Sequence, residues 1–206
     1  MKNKNIQGVT GHIIKVNNGD LTIDKTESGL YISTRFKVEE HIRQYAEVIA
    51  TDGSDGVEVG DILFFHYNVT AYQYKNRVKT HSQYFLEEDE DKTCYYHVPH
   101  YLTYAFLKDK DSSEAKFTNG YCFVETRKDE EKKTSSGIVV ELEKEIDSTK
   151  NNYGVISQIN SDNTYNLSKG DKVIMPTYPD YEITLPNNEK FWCVEYKLFL
   201  AKIEDD

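Results

Sequence analysis

Two stretches with the same pattern, VEVGDILFF (57–65) and LSKGDKVIM (167–175), decide the fold class. Each stretch places a glycine, Gly60 or Gly170, and an aspartate directly before a run of aliphatic and aromatic residues. A glycine before such a run is typical of a tight turn that leads into a buried β-strand. The offset of 110 between the two glycines indicates that one structural unit occurs twice in the chain.

Two further pairs of segments occur in the same order as this repeat. TESGLYIS (26–33) is similar to TSSGIVVE (134–141) at an offset of 108. YYHVPHYLTYAFLKD (95–109) is similar to FWCVEYKLFLAKIED (191–205) at an offset of 96. Three pairs in one order predict a duplicated unit, because unrelated similarities would not keep their order.

The fall of the offset from 110 to 96 predicts 14 additional residues in the first copy, within an insertion at about 69–92. The domain boundary is predicted within 110–120, where small and polar residues replace the strand pattern. We therefore predict a first domain at 1–112 and a second at 113–206. Each is long enough for one small barrel or sandwich.

Short segments rich in β-branched and aromatic residues, such as GHIIKV (11–16) and YCFVETR (121–127), alternate along the chain with turn residues. This pattern predicts an all-β protein. Helical spacing is confined to KVEEHIRQYAEV (37–48), which predicts one short helix. The acidic run EEDED (87–91) is interpreted as a solvated loop. DGSDG (52–56) is interpreted as a tight turn whose glycines take positive φ.

Acidic residues exceed basic ones, 35 Asp and Glu against 25 Lys and Arg, which gives a formal net charge of -10. A surface of this charge repels phosphate backbones and anionic lipids, so we expect neither nucleic acid nor a membrane as a partner. No apolar run approaches the roughly 20 residues of a membrane span. MKNKNIQGVT (1–10) lacks the apolar core of a signal peptide, and we expect a cytoplasmic protein.

The three cysteines, Cys94, Cys122 and Cys193, are odd in number and far apart, which favours reduced, partly buried thiols over a disulfide framework. Cys94, His97 and His100 have metal-ligand spacing, but residues three apart on a strand point to opposite faces. No nucleophile elbow, phosphate-binding loop or dinucleotide-binding motif is present. We therefore predict no catalytic residue, no metal site and no cofactor.

The second half resembles the GroES-like small co-chaperonins in the order of its segments. It has an opening strand, a charged segment, a glycine with an aliphatic tripeptide, a strand, a Gly-Asp turn into a strand, and a closing strand; these are YCFVETRK (121–128), DEEKKTSS (129–136), GIVV (137–140), YGVISQIN (153–160), LSKGDKVIM (167–175) and KLFLAKIED (197–205). The first half resembles the family more faintly, through SGLYI, YAEVIA, VEVGDILFF and YLTYAFLKD. The resemblance implies two tandem GroES-like β-barrel domains.

In that family, the aliphatic tripeptide of a mobile loop docks in a hydrophobic groove on the apical domain of the chaperonin. The resemblance implies chaperonin-binding residues in both copies: Gly137, Ile138, Val139 and Val140, and Gly29, Leu30, Tyr31 and Ile32. The polar flanks RKDEEKK and EKEIDSTKNN cannot pack, so such a triplet orders only when it binds. Affinity then comes from several copies that engage one ring together.

The implied function is that of a co-chaperonin, a homo-oligomeric ring that caps a GroEL-type chaperonin in an ATP-dependent way and assists protein folding. The chain itself would be no enzyme, since the ATPase belongs to the partner. An alternative is a structural or assembly protein, for example a phage virion component, in which a duplicated GroES-like barrel has no chaperonin binding and buries Ile138–Val140. Arginine occurs only at 35, 43, 77 and 127 among 25 basic residues, which favours an AT-rich genome such as that of a phage.

Overall fold

The computed structural model describes residues 8, 10–17, 42–75, 78–126, 152–176 and 181–204. These residues form fifteen strands, and their helical parts are short 3-10 turns. The strands are β1 (Gly11–Asn17), β2 (Tyr45–Thr51), β3 (Ile62–Phe65), β4 (Gln73–Lys75), β5 (Val78–Thr80), β6 (Phe85–Glu88), β7 (Thr93–Pro99), β8 (Thr103–Leu107), β9 (Lys116–Phe117), β10 (Tyr121–Thr126), β11 (Asn152–Gln158), β12 (Lys172–Met175), β13 (Tyr181–Thr184), β14 (Lys190–Glu195) and β15 (Ala201–Ile203).

Two antiparallel sheets make up the fold, and their strand orders correspond. The first sheet has the order β6-β7-β1-β2-β3-β8-β9 and the second has the order β13-β14-β10-β11-β12-β15. If β1 is matched with β10, the remaining strands of the second sheet match β2, β3, β6, β7 and β8 in both chain order and sheet order. The prediction of an all-β protein is confirmed.

Both sheets are open in the part of the chain that the structure describes. No ladder joins β6 to β9 or β13 to β15 there. The closure of each copy into a GroES-like barrel therefore stays a prediction. None of the helical turns among the described residues is long and apolar enough to cross a membrane.

The two Gly-Asp turns that suggested the repeat have the same backbone geometry. The Gly60 N–H donates to the Val48 carbonyl at 2.8 Å, and the Gly170 N–H donates to the Ile156 carbonyl at 2.8 Å. Gly60 has a φ of 97° and Gly170 a φ of 93°, in the left-handed region that glycine adopts without a steric penalty. The first turn thereby joins β2 to β3, and the second joins β11 to β12.

Each sheet packs one face into its own apolar core. The first core includes Ile14, Val48, Leu63, Phe65 and Val98, and the second includes Val124, Ile156, Val173, Met175 and Val194 at the corresponding strand positions. Full burial of such a side chain stabilises the fold by about 1.5–3 kcal/mol. The matched positions explain why two sequences with few identical residues form the same strand order.

A third apolar cluster joins the two sheets. Phe64 from β3 and Phe123 from β10 are fully buried, and their rings meet edge to face with centroids 6.0 Å apart. Phe123 also stacks on Phe191 at 5.4 Å. The short strand β9 pairs with β8 of the first sheet, only three residues before the second sheet begins at Tyr121. The sheets therefore share part of their core.

The difference in length between the two copies lies between the third and fourth matched strands. Nineteen residues, 66–84, separate β3 from β6, whereas five residues, 176–180, separate β12 from β13. The difference of 14 residues equals the one inferred from the sequence offsets, and the additional residues include the β4–β5 hairpin. The predicted insertion at about 69–92 contains this hairpin.

The helix predicted within 37–48 is wrong for its described part, because Tyr45–Thr51 is a strand. Its buried residues alternate with half-exposed ones, and it pairs with β1 on one side and β3 on the other. Pairing on both edges outweighs the weak helical spacing. The acidic run 87–91 is only partly a loop, since Glu87 and Glu88 end β6. The turn at 52–56 is confirmed, with Gly53 and Gly56 at positive φ.

Candidate functional site

Two long segments connect the first and second strands of the two sheets. The first connecting segment, 18–41, lies between β1 and β2, and the second connecting segment, 127–151, lies between β10 and β11. The predicted chaperonin-binding residues fall within these segments, outside the described residues: Gly29, Leu30, Tyr31, Ile32, Gly137, Ile138, Val139 and Val140. The described strands that flank each segment are antiparallel neighbours, so each segment connects two adjacent strands of one sheet.

The base of the second connecting segment is closely packed. Thr126, the last residue of β10, lies opposite Gly154 of β11. A Cβ atom at Gly154 would lie 2.3 Å from Cγ1 of Val124 and 3.0 Å from Cε of Met175. Only glycine fits there without displacement of these core side chains. The strand that follows the segment is thus fixed against the core from its start.

The base of the first connecting segment is held by buried and charged contacts. Ile42, the first described residue after the segment, is 5% exposed. The Arg43 guanidinium lies over the Tyr45 ring, 5.3 Å from its centroid. Lys15 of β1 pairs with Glu47 of β2 at 2.7 Å, but both side chains are about two-fifths exposed, so this ion pair contributes about 0–1 kcal/mol. Ile42 is the main anchor.

A cluster of ionisable side chains lies at the opposite ends of β1 and β2. We define the His-Asp cluster as His12 in β1, Asp52 and Asp55 in the β2–β3 turn, and His100 after β7. His100 donates through Nε2 to Asp52 Oδ2 at 2.7 Å and through Nδ1 to Asp55 Oδ2 at 3.0 Å. His12 packs against His100 with ring centroids 5.2 Å apart. Sequence reasoning did not find this cluster.

The two histidines of the His-Asp cluster have opposite pKa shifts. Burial, followed by the neighbouring His100, lowers the pKa of His12 below its ordinary value. Burial alone would lower the pKa of His100, but hydrogen bonds and charge attraction from Asp52 and Asp55 raise it instead. Burial would raise the pKa of Asp52, yet hydrogen bonds from Ser54 and His100 hold it well below its usual range. These shifts favour a neutral His12 beside a protonated His100.

The three residues with metal-ligand spacing in the sequence do not come together. His100 belongs to the His-Asp cluster, whereas Cys94 is buried and lies near Glu88 and His81. The half-exposed His97 contacts a third group, the Thr10 carbonyl, at 3.3 Å. All three cysteines are buried and none forms a disulfide, as the sequence predicts. Burial raises the pKa of the Cys94 thiol to about 11 and that of the Cys122 thiol to about 12.

Comparison with known protein families gives a match in the second half of the chain. Residues 115–203 match the family model Cpn10, described as Chaperonin 10 Kd subunit. This match supports membership of the second half in the GroES-like co-chaperonin family. No curated protein matches the chain in sequence.

The Cpn10 match covers all six strands of the second sheet. It begins within two residues of β9, spans β10 to β15 and ends on the last residue of β15. The second connecting segment lies inside it. Apart from the short strand β9, the first sheet lies outside the Cpn10 match, although β6, β7, β1, β2, β3 and β8 follow the strand order of the second sheet.

Proposed function

We propose that this protein is a tandem co-chaperonin that caps a GroEL-type chaperonin and assists protein folding. The observation that carries the proposal is the Cpn10 match, because it spans the second connecting segment with Gly137–Val140 as well as the strands that hold it. The tripeptide Ile138–Val140 docks in a hydrophobic groove of the chaperonin. The chain supplies contact and closure only, and the ATP-driven step and any cofactor belong to the chaperonin.

The proposal includes the first half as a second, diverged copy of the Cpn10-like unit. Its support is the common strand order, the two Gly-Asp turns with the same backbone hydrogen bond, and a long connecting segment at the same place. Leu30–Ile32 is then the second docking tripeptide of each chain. Two weak contacts on one chain raise affinity because the second one forms within the complex.

The negative charge of the chain and its uncharged tripeptides favour a protein partner that binds through apolar contacts. The chain has a formal net charge of -10, and the two tripeptides carry no charge. The polar residues around each tripeptide keep the segment hydrated when it is unbound. Binding is therefore weak and reversible, so that release accompanies a change in the chaperonin. We place this activity in the cytoplasm, or in the host cytoplasm if the gene belongs to a phage.

We also propose that the chains assemble into a homo-oligomeric ring. Within one chain, the start of the second half adds strand β9 to the outer edge of β8. The matching outer edge, on β15, has no partner strand among the described residues. Residues 6–7, which lie outside the described residues, correspond in sequence position to β9, and we propose that those of a second chain supply the missing pairing. Pairing there would repeat between chains the contact that joins the two halves.

The test is a pull-down of a GroEL-type chaperonin by the full chain, with ADP or ATP present. We expect wild type to retain the chaperonin only with nucleotide, and Ile138→Asp/Val140→Asp to lose it, since two charges cannot enter an apolar groove. Ser135→Asp/Ser136→Asp adds the same charges beside the tripeptide and serves as the control. Native mass spectrometry of the free chain tests the ring separately.

Two results would contradict the proposal. One is a folded wild-type chain that retains no chaperonin, including that of its natural host. The other is retention that the tripeptide substitutions leave unchanged. Either would favour a structural or assembly protein, in which Ile138–Val140 packs inside the fold and its substitution lowers stability. Circular dichroism and thermal unfolding of each variant separate the two explanations.

A further inference from the structure

We propose that the His-Asp cluster binds one divalent transition-metal ion, with His12, Asp55 and His100 as ligands. One ligand atom from each of these three residues lies within 4.8 Å of the other two. They come from three different parts of the first sheet: β1, the β2–β3 turn, and the 3-10 turn after β7. A metal ion would link these three elements at one end of the sheet.

Asp52 holds the His100 ring in the orientation that a metal ligand needs. Its Oδ2 accepts from Nε2 of His100 at 2.7 Å, while Nδ1 faces Asp55 Oδ2 at 3.0 Å. A carboxylate on one ring nitrogen commonly fixes a histidine whose other nitrogen binds a metal. Asp52 is therefore the positioning residue. The metal ion replaces the proton between Nδ1 and Asp55, and that proton passes to the solvent.

His12 supplies an independent observation. Its side chain is fully buried, and Nε2 has no hydrogen-bond partner among the described residues. The other nitrogen, Nδ1, lies 3.0 Å from the Thr51 hydroxyl. A buried polar atom without a partner is costly and calls for an explanation such as an ion. A neutral imidazole beside two carboxylates is a ready ligand for such an ion.

The backbone around the cluster is built to hold it. The Gly11 N–H donates to Asp52 Oδ2 at 2.8 Å, and the Asp52 N–H donates back to the Gly11 carbonyl at 3.2 Å. Gly11 has a φ of 138°, and a Cβ there would lie 2.3 Å from the Val98 carbonyl oxygen, so only glycine fits. Ser54 donates to the second oxygen of Asp52 at 2.7 Å. The positioning carboxylate is thus fixed before any ion binds.

The second sheet shows that the fold does not require these ligands. The strand register matches His12 with Cys122, and His100 with Tyr196, which also begins a 3-10 turn after the matched strand. Cys122 is fully buried and Tyr196 is half-buried. The same strand order therefore forms with an apolar thiol and a phenol at these positions. The histidines of the first sheet have another role.

The donor set selects the class of ion. Two imidazole nitrogens and a carboxylate oxygen suit Zn²⁺ and its neighbours in the first transition series, whereas Ca²⁺ and Mg²⁺ prefer oxygen donors. His100 is one-third exposed, which gives an ion and a completing water molecule access from solvent. Zn²⁺ is the probe that we choose.

The experiment is calorimetric titration of ZnCl₂ into the chelator-treated full chain, purified without a polyhistidine tag. We expect one Zn²⁺ per chain and no comparable heat from CaCl₂. His100→Tyr, which introduces the residue of the second sheet, and Asp55→Asn should each weaken Zn²⁺ binding by about 100-fold or more. Asp52→Asn should weaken it by about 10- to 100-fold, because the orientation of His100 is lost while the three ligands remain.

Matched controls separate this site from adventitious binding. His97→Gln removes a half-exposed histidine of β7, the strand that precedes His100, and Asp162→Asn removes an exposed turn carboxylate of the second half; neither should change the affinity. Circular dichroism in the presence of chelator checks that every variant is folded. The proposal is overturned if wild type binds no Zn²⁺, or if His100→Tyr and Asp55→Asn bind it as wild type does. In that case the cluster is an ion-pair clamp on the β2–β3 turn.

Discussion

Asp61 and Asp171 make the same contacts at the matched turns of the two sheets. In each case Oδ2 accepts from the backbone N–H three residues earlier at 2.8 Å. The same oxygen pairs with a lysine from the end of the sheet, Lys108 at 3.2 Å or Lys202 at 2.8 Å. The side chain of Asp61 is 4% exposed and that of Asp171 is 16% exposed. One carboxylate thus closes each turn and ties it to the end of β8 in the first sheet or to β15 in the second.

The first prediction concerns the charge of Asp171. Burial alone would raise its pKa, but hydrogen bonds from Lys202 and the Ser168 N–H, with the lysine charge, lower it below the ordinary value. Asp171→Asn should lower the free energy of unfolding at neutral pH by about 1–2 kcal/mol, because the ion pair is lost. Urea unfolding measures this change, and Asp162→Asn, at an exposed turn position, should change it little.

The pH dependence of that difference follows from the sign of the shift. Since the folded-state pKa of Asp171 is depressed, its contribution is present above the unfolded-state pKa, about 3.9, and is lost as pH falls through the folded-state pKa. Wild type and Asp171→Asn should therefore converge in stability below about pH 4. A difference that stays constant from neutral to acid pH would show that the ion pair is not its source.

The second prediction concerns Gly154, at the base of the second connecting segment. Gly154→Ala places a methyl group 2.3 Å from Val124 Cγ1, so the core must shift. We expect the variant to lose about 1–3 kcal/mol of unfolding free energy. Tyr153→Phe, on the exposed face of the same strand, is the control and should lose little. Thermal and urea unfolding give both values, and equal stability of the two variants would contradict the close packing.

The third prediction concerns the core that Phe64 and Phe123 share between the sheets. Phe123→Ala should lower the free energy of unfolding by about 3–5 kcal/mol, because the fully buried ring contacts both Phe64 and Phe191.

The shared core also predicts that the two sheets of the wild-type chain unfold in one transition. Trp192, the single tryptophan, reports on the second sheet, whereas far-ultraviolet circular dichroism reports on the whole chain. Separate midpoints for the two signals would mean that the shared core does not couple the sheets.

The sequence predicted the central strands well because their burial is periodic and local. GHIIKV and YAEVIA became β1 and β2, and the Gly-Asp turns fixed the positions of β3 and β12. The edge strands β6 and β13 were not predicted, since FLEE and YEIT carry charges and few apolar residues. The helical spacing of 37–48 overlapped the strand segment YAEVIA at residues 45–48, because pairing with neighbouring strands is invisible in local spacing.

The His-Asp cluster shows the limit of motif reasoning. Its members are brought together from positions 12, 52, 55 and 100 by the pairing of β1 with both β2 and β7. No spacing rule connects them, and the turn DGSDG was correctly interpreted as a turn without its role beside the histidines. Cys94 and His100, in contrast, have suggestive spacing but lie in different environments. Strand register, rather than sequence distance, decides which ionisable groups meet.

The last prediction tests whether the first connecting segment takes part in chaperonin binding. If both segments dock, Leu30→Asp/Ile32→Asp should weaken nucleotide-dependent retention of the chaperonin by about 10-fold or more, because half of the contacts of a multivalent ring are lost. The control Ser28→Asp/Ser33→Asp carries the same added charge outside the tripeptide and should bind as wild type does. Retention is measured across a chaperonin concentration series. Wild-type retention by Leu30→Asp/Ile32→Asp would assign docking to the second segment alone, since avidity from the first would then contribute nothing.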